Sequence, residues 1–148
     1  MNQTIYPIGI QNFEKIRKGG YCYIDKTAWI YQMVKTGSYY FLSRPRRFGK
    51  SLLLSTLEAY FQGKKKLFEG LAIEKLEKDW FKYPILHIDL NTEKYDTPER
   101  LENKLNRTLV EWEKIYGAES AETSLAMRFE GIIQRACEKE GQSVVILV

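Results

Sequence analysis

The sequence contains few of the residues that build metal centres or covalent cross-links. Among its 148 residues there are only two cysteines and one histidine. Cys22 and Cys137 are far apart and have no Cys or His neighbour at metal-ligand spacing, so we expect reduced, packed thiols. The sequence also lacks an apolar run of roughly 18 residues, which a bilayer-crossing helix needs, and a signal-peptide pattern. These absences predict a cytoplasmic protein with no membrane partner.

The composition is that of one globular domain. Hydrophobic residues make up 44% of the chain and charged residues 28%, a balance that supports a sizeable core and excludes a disordered chain. The net charge of +4 suits an acidic partner, whether nucleic acid, phosphate or nucleotide, without choosing among them. Positive charge is concentrated at residues 44–50 and in three successive lysines at 64–66. We interpret the lysine run as a solvated turn.

Hydrophobic patterning predicts strands that alternate with helices. Apolar runs at residues 39–42, 84–90 and 144–148 are typical of buried strands. Helices are expected over about residues 26–34, 52–61, 97–117 and 120–141, with Pro98 in the first turn of the third and Ser120 capping the fourth. This alternation predicts an α/β fold with a mostly parallel sheet.

A candidate phosphate-binding loop lies between the first strand and the second helix. Residues 43–51 read Ser-Arg-Pro-Arg-Arg-Phe-Gly-Lys-Ser. A helix amino terminus offers unpaired N–H groups and a positive dipole end, which together bind anions. Gly49 would let the backbone approach the phosphates, and Lys50 would reach the β- and γ-phosphates. The Ser51 hydroxyl would complete the coordination of Mg²⁺.

The loop departs from the Walker A pattern G-x-x-x-x-G-K-[ST] at its first glycine. Arg44 occupies that position, so the alternative is a basic surface turn that contains Gly-Lys-Ser by chance. The flanking strand and helix, together with three arginines in a tight turn, favour an anion site. We therefore expect nucleotide contacts from Arg44, Pro45, Arg46, Arg47, Phe48, Gly49, Lys50, Ser51 and Leu52.

Residues 41–52 resemble the signature of the bacterial AAA-ATPase-like family. These P-loop proteins share the arginine-rich loop and often carry a restriction-endonuclease-like domain farther along. The segments at residues 23–27, 67–71 and 80–84 match other parts of the family pattern, so the resemblance covers nearly the whole chain. It implies a P-loop NTPase-type three-layer sandwich, incomplete at its carboxyl end. Residues 1–37 would form a lead-in packed on a core of residues 38–148.

The resemblance implies that the chain binds ATP with Mg²⁺ and that the full-length protein hydrolyses it. Lys50, Arg46 and Arg47 would then be catalytic, neutralising charge on the γ-phosphate, and Ser51 would hold the metal. The family's Walker B acids would follow Val148, so we expect no turnover by this chain alone. The alternative is a switch or docking module that binds nucleotide or nucleic-acid backbone without hydrolysis.

The sequence leaves four further points open. A partner nucleic acid would bind through a nuclease-like domain outside these residues, and a homo-oligomer is an open alternative to a monomer. Asp25, Lys26 and Thr27 either contact the nucleotide or begin a helix that Asp25 caps, and we favour the cap. An apolar strand at residues 39–43 needs a neighbour. We expect that neighbour to be residues 144–148, a second copy, or chain beyond Val148.

Overall fold

The computed structural model describes residues 5–92 and 94–148, which divide into two compact units, Met1–Lys82 and Tyr83–Val148. The first unit holds α1 (Phe13–Lys18), α2 (Thr27–Thr36), α3 (Lys50–Phe61), a short 3₁₀ helix (Lys65–Phe68) and α4 (Ala72–Leu76). The second holds β1 (Ile85–His87), α5 (Pro98–Tyr116), α6 (Leu125–Glu140) and β2 (Val145–Leu147). Helices combined with a small parallel sheet confirm the α/β class.

The first unit is built around α1, an element that the sequence pattern did not predict. The Asn12 side chain caps this helix by accepting a hydrogen bond from the Lys15 N–H at 3.0 Å. Its residue Phe13 is fully buried and contacts Phe68 with ring centroids 4.8 Å apart. The Phe13 N–H also donates to the Ser55 hydroxyl at 2.9 Å, which fixes α1 against α3. Six residues are too few for a helical period to appear in the sequence.

The second unit pairs its two strands in parallel, with Ile85, Leu86 and His87 opposite Val145, Ile146 and Leu147. Its core consists of the buried residues Leu86, Leu109 and Ile132, against which Trp112 and Phe129 pack. Two arginine–glutamate pairs, Arg128–Glu113 and Arg135–Glu122, reinforce this unit. The predicted strands at 84–90 and 144–148 are thus confirmed over residues 85–87 and 145–147, and the parallel pairing agrees with the mostly parallel sheet that was expected.

Of the two helices predicted in the second unit, one is confirmed at both ends and the other has a different cap. The third predicted helix is confirmed, because α5 has Pro98 as its first residue and ends before Gly117. The predicted cap of the fourth is wrong. Ser124, and not Ser120, caps α6, since its hydroxyl accepts a hydrogen bond from the Met127 N–H at 3.2 Å. Both serines have cap chemistry, and only the path of the chain before α6 selects one.

The predicted strand at residues 39–42 is also wrong. This segment is not assigned as a strand, and Tyr39 and Phe41 are 97% and 94% exposed. Tyr40 folds back on the end of α2, where its hydroxyl donates to the Met33 carbonyl at 2.6 Å. The sheet formed by the described residues has two strands, β1 and β2, so the pairing of 39–43 with 144–148 is not found there. An apolar run predicts a strand only when a neighbouring edge is available to it.

Candidate functional site

The site begins at the amino terminus of α3, whose first residue is Lys50. The first helical hydrogen bond there joins the Leu53 N–H to the Gly49 carbonyl at 2.9 Å. The N–H groups of Lys50, Ser51 and Leu52 precede it, so they have no acceptor within the helix. No side chain caps this end. The expectation of a helix amino terminus at the end of this loop is confirmed, with Gly49 as the N-cap and Lys50 and Ser51 in the first turn.

The preceding loop closes around the ammonium group of Lys50. Lys50 Nζ donates to the Arg44 carbonyl at 2.5 Å and to the Pro45 carbonyl at 3.1 Å. The chain turns between these contacts through Arg47, which is the one non-glycine with positive φ, at 67°, among the described residues. A long side chain on the first helical turn therefore reaches back across the loop and fixes its curvature.

The loop carries positive charge that has no carboxylate partner among residues 5–92 and 94–148. Arg44, Arg46 and Arg47 are all exposed, and none makes an ion pair with another residue in the described part of the chain. The first turn of α3 contains no acidic residue. Since the helix dipole adds to this positive potential, an anion at the helix end would be stabilised by both.

The backbone conformation of Gly49 gives a further reason for glycine at this position. Its φ of 80° lies in the left-handed region, which residues with a Cβ atom rarely adopt. A Cβ atom built at Gly49 would meet nothing within 4 Å. Backbone conformation, and not crowding by the protein itself, therefore explains glycine at the position where the loop turns into α3.

Comparison with known proteins places the chain in a family. The family described as "Predicted AAA-ATPase" matches residues 7–148. The chain belongs to this AAA-ATPase-like family. It is 40% identical over 150 residues to a protein of Azotobacter chroococcum mcd 1 described as "Uncharacterized protein in vnfD 5'region". That alignment covers 100% of this chain and 29% of the relative. No solved structure matches the chain significantly.

In this AAA-ATPase-like chain, Asp25 and Thr27 hold helices together. One Asp25 oxygen accepts hydrogen bonds from the Thr27 N–H at 2.8 Å and hydroxyl at 2.6 Å. The other accepts from the Ala72 N–H at 2.7 Å. Desolvation raises the pKa of Asp25, but these hydrogen bonds outweigh it and leave the pKa below its ordinary value. The predicted contact of Asp25 with the start of α2 is confirmed, since Asp25 accepts from the first N–H of the helix, but the N-cap position itself is held by Lys26. The second Asp25 oxygen also fixes the start of α4.

The described residues 5–92 and 94–148 contain neither a cluster of metal-binding side chains nor a membrane-spanning helix. No three His, Cys, Asp or Glu side chains there form a group that could hold a metal ion. Within the same residues, no helix combines the length and apolarity needed to span a membrane. In this part of the chain, Ser51 is left as the metal-ligand candidate that the sequence identified.

Proposed function

We propose that this AAA-ATPase-like chain binds ATP, with the phosphates seated on the amino terminus of α3. The observation that carries the proposal is the closed loop around Lys50, whose ammonium group lies against the Arg44 and Pro45 carbonyls. When a nucleotide binds, the Lys50 ammonium group would exchange these two carbonyl oxygens for phosphate oxygens. The N–H groups of Lys50, Ser51 and Leu52 supply further donors to the same anion.

The arginines complete the proposed phosphate site. Arg44, Arg46 and Arg47 lie exposed on the loop and form no ion pair with another described residue. An arginine fork matches the geometry of phosphate oxygens. We assign Arg46 and Arg47, with Lys50, to neutralising charge on the γ-phosphate. Pro45 and Phe48 would shape the loop, and Leu52 would contribute its backbone N–H.

Magnesium fits this site through Ser51. The Ser51 side chain is exposed on the first turn of α3, next to the lysine that would contact the phosphates. Mg²⁺ is commonly held by few protein ligands together with phosphate oxygens and water, so one hydroxyl is a sufficient contribution from this turn. The ion would neutralise phosphate charge and leave the protein to position the nucleotide.

Hydrolysis belongs to the proposal for the whole protein. The chain spans less than a third of the length of the relative it matches, and phosphoryl transfer needs further groups that orient the attacking water. We therefore propose Mg²⁺-dependent ATP hydrolysis for the full-length protein, on a P-loop NTPase-type sandwich, and ATP binding for the residues described.

A nucleotide titration tests the proposal. We expect Lys50→Ala to weaken ATP affinity at least tenfold, roughly 1.4 kcal/mol, because it removes a charge-assisted contact. Ser51→Ala should weaken binding mainly when Mg²⁺ is present. Isothermal titration calorimetry at fixed ionic strength measures both effects. Lys78→Ala is the control, because it removes the same charge from an exposed residue outside the loop.

Two results would oppose this proposal. Equal affinities for the wild type and Lys50→Ala would remove the lysine from the site. Binding that falls steeply with salt, needs no Mg²⁺ and responds equally to Lys78→Ala would indicate nonspecific attraction to a polyanion.

A further inference from the structure

A cavity of about 720 Å³ opens beside the phosphate loop within the first unit. Its volume lies within the range of roughly 300–1,000 Å³ that small-molecule sites occupy. Part of its lining consists of buried core side chains, since Ile16, Ile30 and Thr56 are 1%, 4% and 1% exposed. The cavity is therefore formed by the packing of residues 5–26, α2 and α3 within the first unit.

The cavity and the phosphate loop share a wall. Arg44, Phe48, Gly49 and Leu52 line the cavity, and the same residues form the loop and the first turn of α3. A nucleotide whose phosphates lie on the N–H groups of this turn would have its sugar and base within reach of the cavity. Because the cavity adjoins the phosphate loop, a nucleotide base is the occupant that this position favours.

The rim of the cavity carries large apolar side chains that remain open to solvent. Tyr6, Ile24, Trp29 and Phe48 line it and are 70%, 78%, 72% and 63% exposed. Exposed rings around a concave surface are typical of a ligand site, where an aromatic ligand covers them. A flat heteroaromatic ring stacked there would gain contact area without requiring new polar partners.

We propose that this cavity is the base-binding part of the nucleotide site and that Trp29 stacks on the base. The inference rests on the proposed function, because the phosphates must bind the loop for the base to enter. It gives the lead-in at residues 5–26 a direct part in binding through Tyr6, Pro7 and Ile24. Asp25 and Thr27 alternate in sequence with the lining residues Ile24 and Lys26, and their hydrogen bonds join the start of α2 to α4.

Inorganic triphosphate and ATP separate the two parts of the site. Both carry the phosphates, and only ATP carries a base. We expect the wild-type chain to bind ATP at least tenfold more tightly than triphosphate in calorimetric titrations with Mg²⁺. Trp29→Ala should remove most of this difference by weakening ATP roughly tenfold, with triphosphate affinity unchanged. Trp29→Phe should retain it, and Phe81→Ala, an exposed aromatic residue outside the cavity, is the matched control.

The two cysteines provide an independent readout. Cys22 is half-buried and lines the cavity, whereas Cys137 is exposed on α6. We expect ATP to slow alkylation of Cys22 by N-ethylmaleimide at least fivefold and to leave Cys137 unchanged, as measured by peptide mass spectrometry. Triphosphate should protect neither thiol, because it does not enter the cavity.

The outcomes distinguish the base site from the phosphate site. Tight triphosphate binding with no gain for ATP and no protection of Cys22 would overturn the base site and leave the phosphate loop standing. Failure of both ligands to bind would overturn both. Loss of ATP and triphosphate binding together in Trp29→Ala would also contradict the proposal, since it would show that Trp29 acts on the loop or the fold.

Discussion

At the scale of single residues, Gly49 determines how the loop enters α3. Its left-handed backbone turns the chain so that the Lys50 N–H begins a helix while the Lys50 side chain reaches back to Arg44. Because a Cβ atom would meet no neighbour there, the cost of a substitution is that of the backbone conformation alone.

We predict that Gly49→Ala lowers the free energy of unfolding by roughly 1 kcal/mol, which is the low end of the cost of a left-handed residue with a Cβ atom. Gly49→Asn should cost less, because asparagine adopts this conformation more readily. Gly63→Ala is the comparison. Gly63 has a similar φ of 67°, but its Cβ would also lie 3.3 Å from the Trp80 carbonyl oxygen, so it should cost more. Urea unfolding measures all three, and equal stability of Gly49→Ala and the wild type would contradict the account.

The residue scale also shows what the sequence determined about the site. Gly-Lys-Ser before an apolar segment predicted that a helix begins at the end of this loop, because helix termini have local chemical requirements. The contact of Lys50 with two carbonyls occurs in a loop where Arg47 has a left-handed conformation. An arginine in the sequence does not predict this conformation. Trp29 and Tyr6 gave no signal either, since a role in lining a cavity depends on packing between distant segments.

At the scale of elements, a buried carboxylate joins α2, α3 and the chain after α4. Glu77 is 4% exposed and accepts hydrogen bonds from the Tyr60 hydroxyl at 2.5 Å and the Asp79 N–H at 3.1 Å. Lys35 Nζ lies 3.0 Å from it. Burial raises the pKa of Glu77, but the contacts with Tyr60, Lys35 and Asp79 lower this pKa by a larger amount. The net pKa is therefore below the ordinary 4.5.

This shift fixes the sign of a pH effect. The unfolded chain protonates Glu77 at higher pH than the folded chain does, so its stabilisation is full above pH 4.5 and is lost as the pH falls through the folded-state pKa. We predict that Glu77→Gln is less stable than the wild type by about 1 kcal/mol at neutral pH, because the substitution removes the ion pair with Lys35. The difference should shrink on acidification.

Urea unfolding of the wild type and Glu77→Gln between about pH 7 and 3 tests this prediction. Glu69→Gln, an exposed glutamate in the same unit, should show little change at either end. A stability difference that stays constant down to the lowest pH would contradict the assigned role of Glu77.

Elements differ in how far the sequence determines them. The α5 helix was predicted because Pro98, the apolar spacing of Leu105, Leu109 and Trp112, and Gly117 all act within one segment. The segment at residues 39–42 was mispredicted because strand formation depends on a partner edge elsewhere in the chain. The start of α2 lies between these cases. The contact of Asp25 with the Thr27 N–H is local, but its contact with Ala72 comes from tertiary packing.

At the scale of the whole molecule, the proposed nucleotide contacts all lie in one compact unit. The loop, α3 and the cavity belong to Met1–Lys82, whereas the parallel pair β1–β2 belongs to Tyr83–Val148. Membership of the AAA-ATPase-like family covers both units. The proposed phosphate contacts at the amino terminus of α3 therefore all lie within the first unit.

The most direct measurement of these contacts is the backbone amide NMR spectrum of the ¹⁵N-labelled chain during titration with inorganic triphosphate and Mg²⁺ at fixed ionic strength. We predict that the largest shifts occur at the N–H groups of Lys50, Ser51 and Leu52, because these groups would donate to the phosphate oxygens. Shifts at the lysines of residues 64–66 should be small. Saturating shifts confined to residues 64–66, or no shift at the start of α3 at millimolar ligand, would contradict the account.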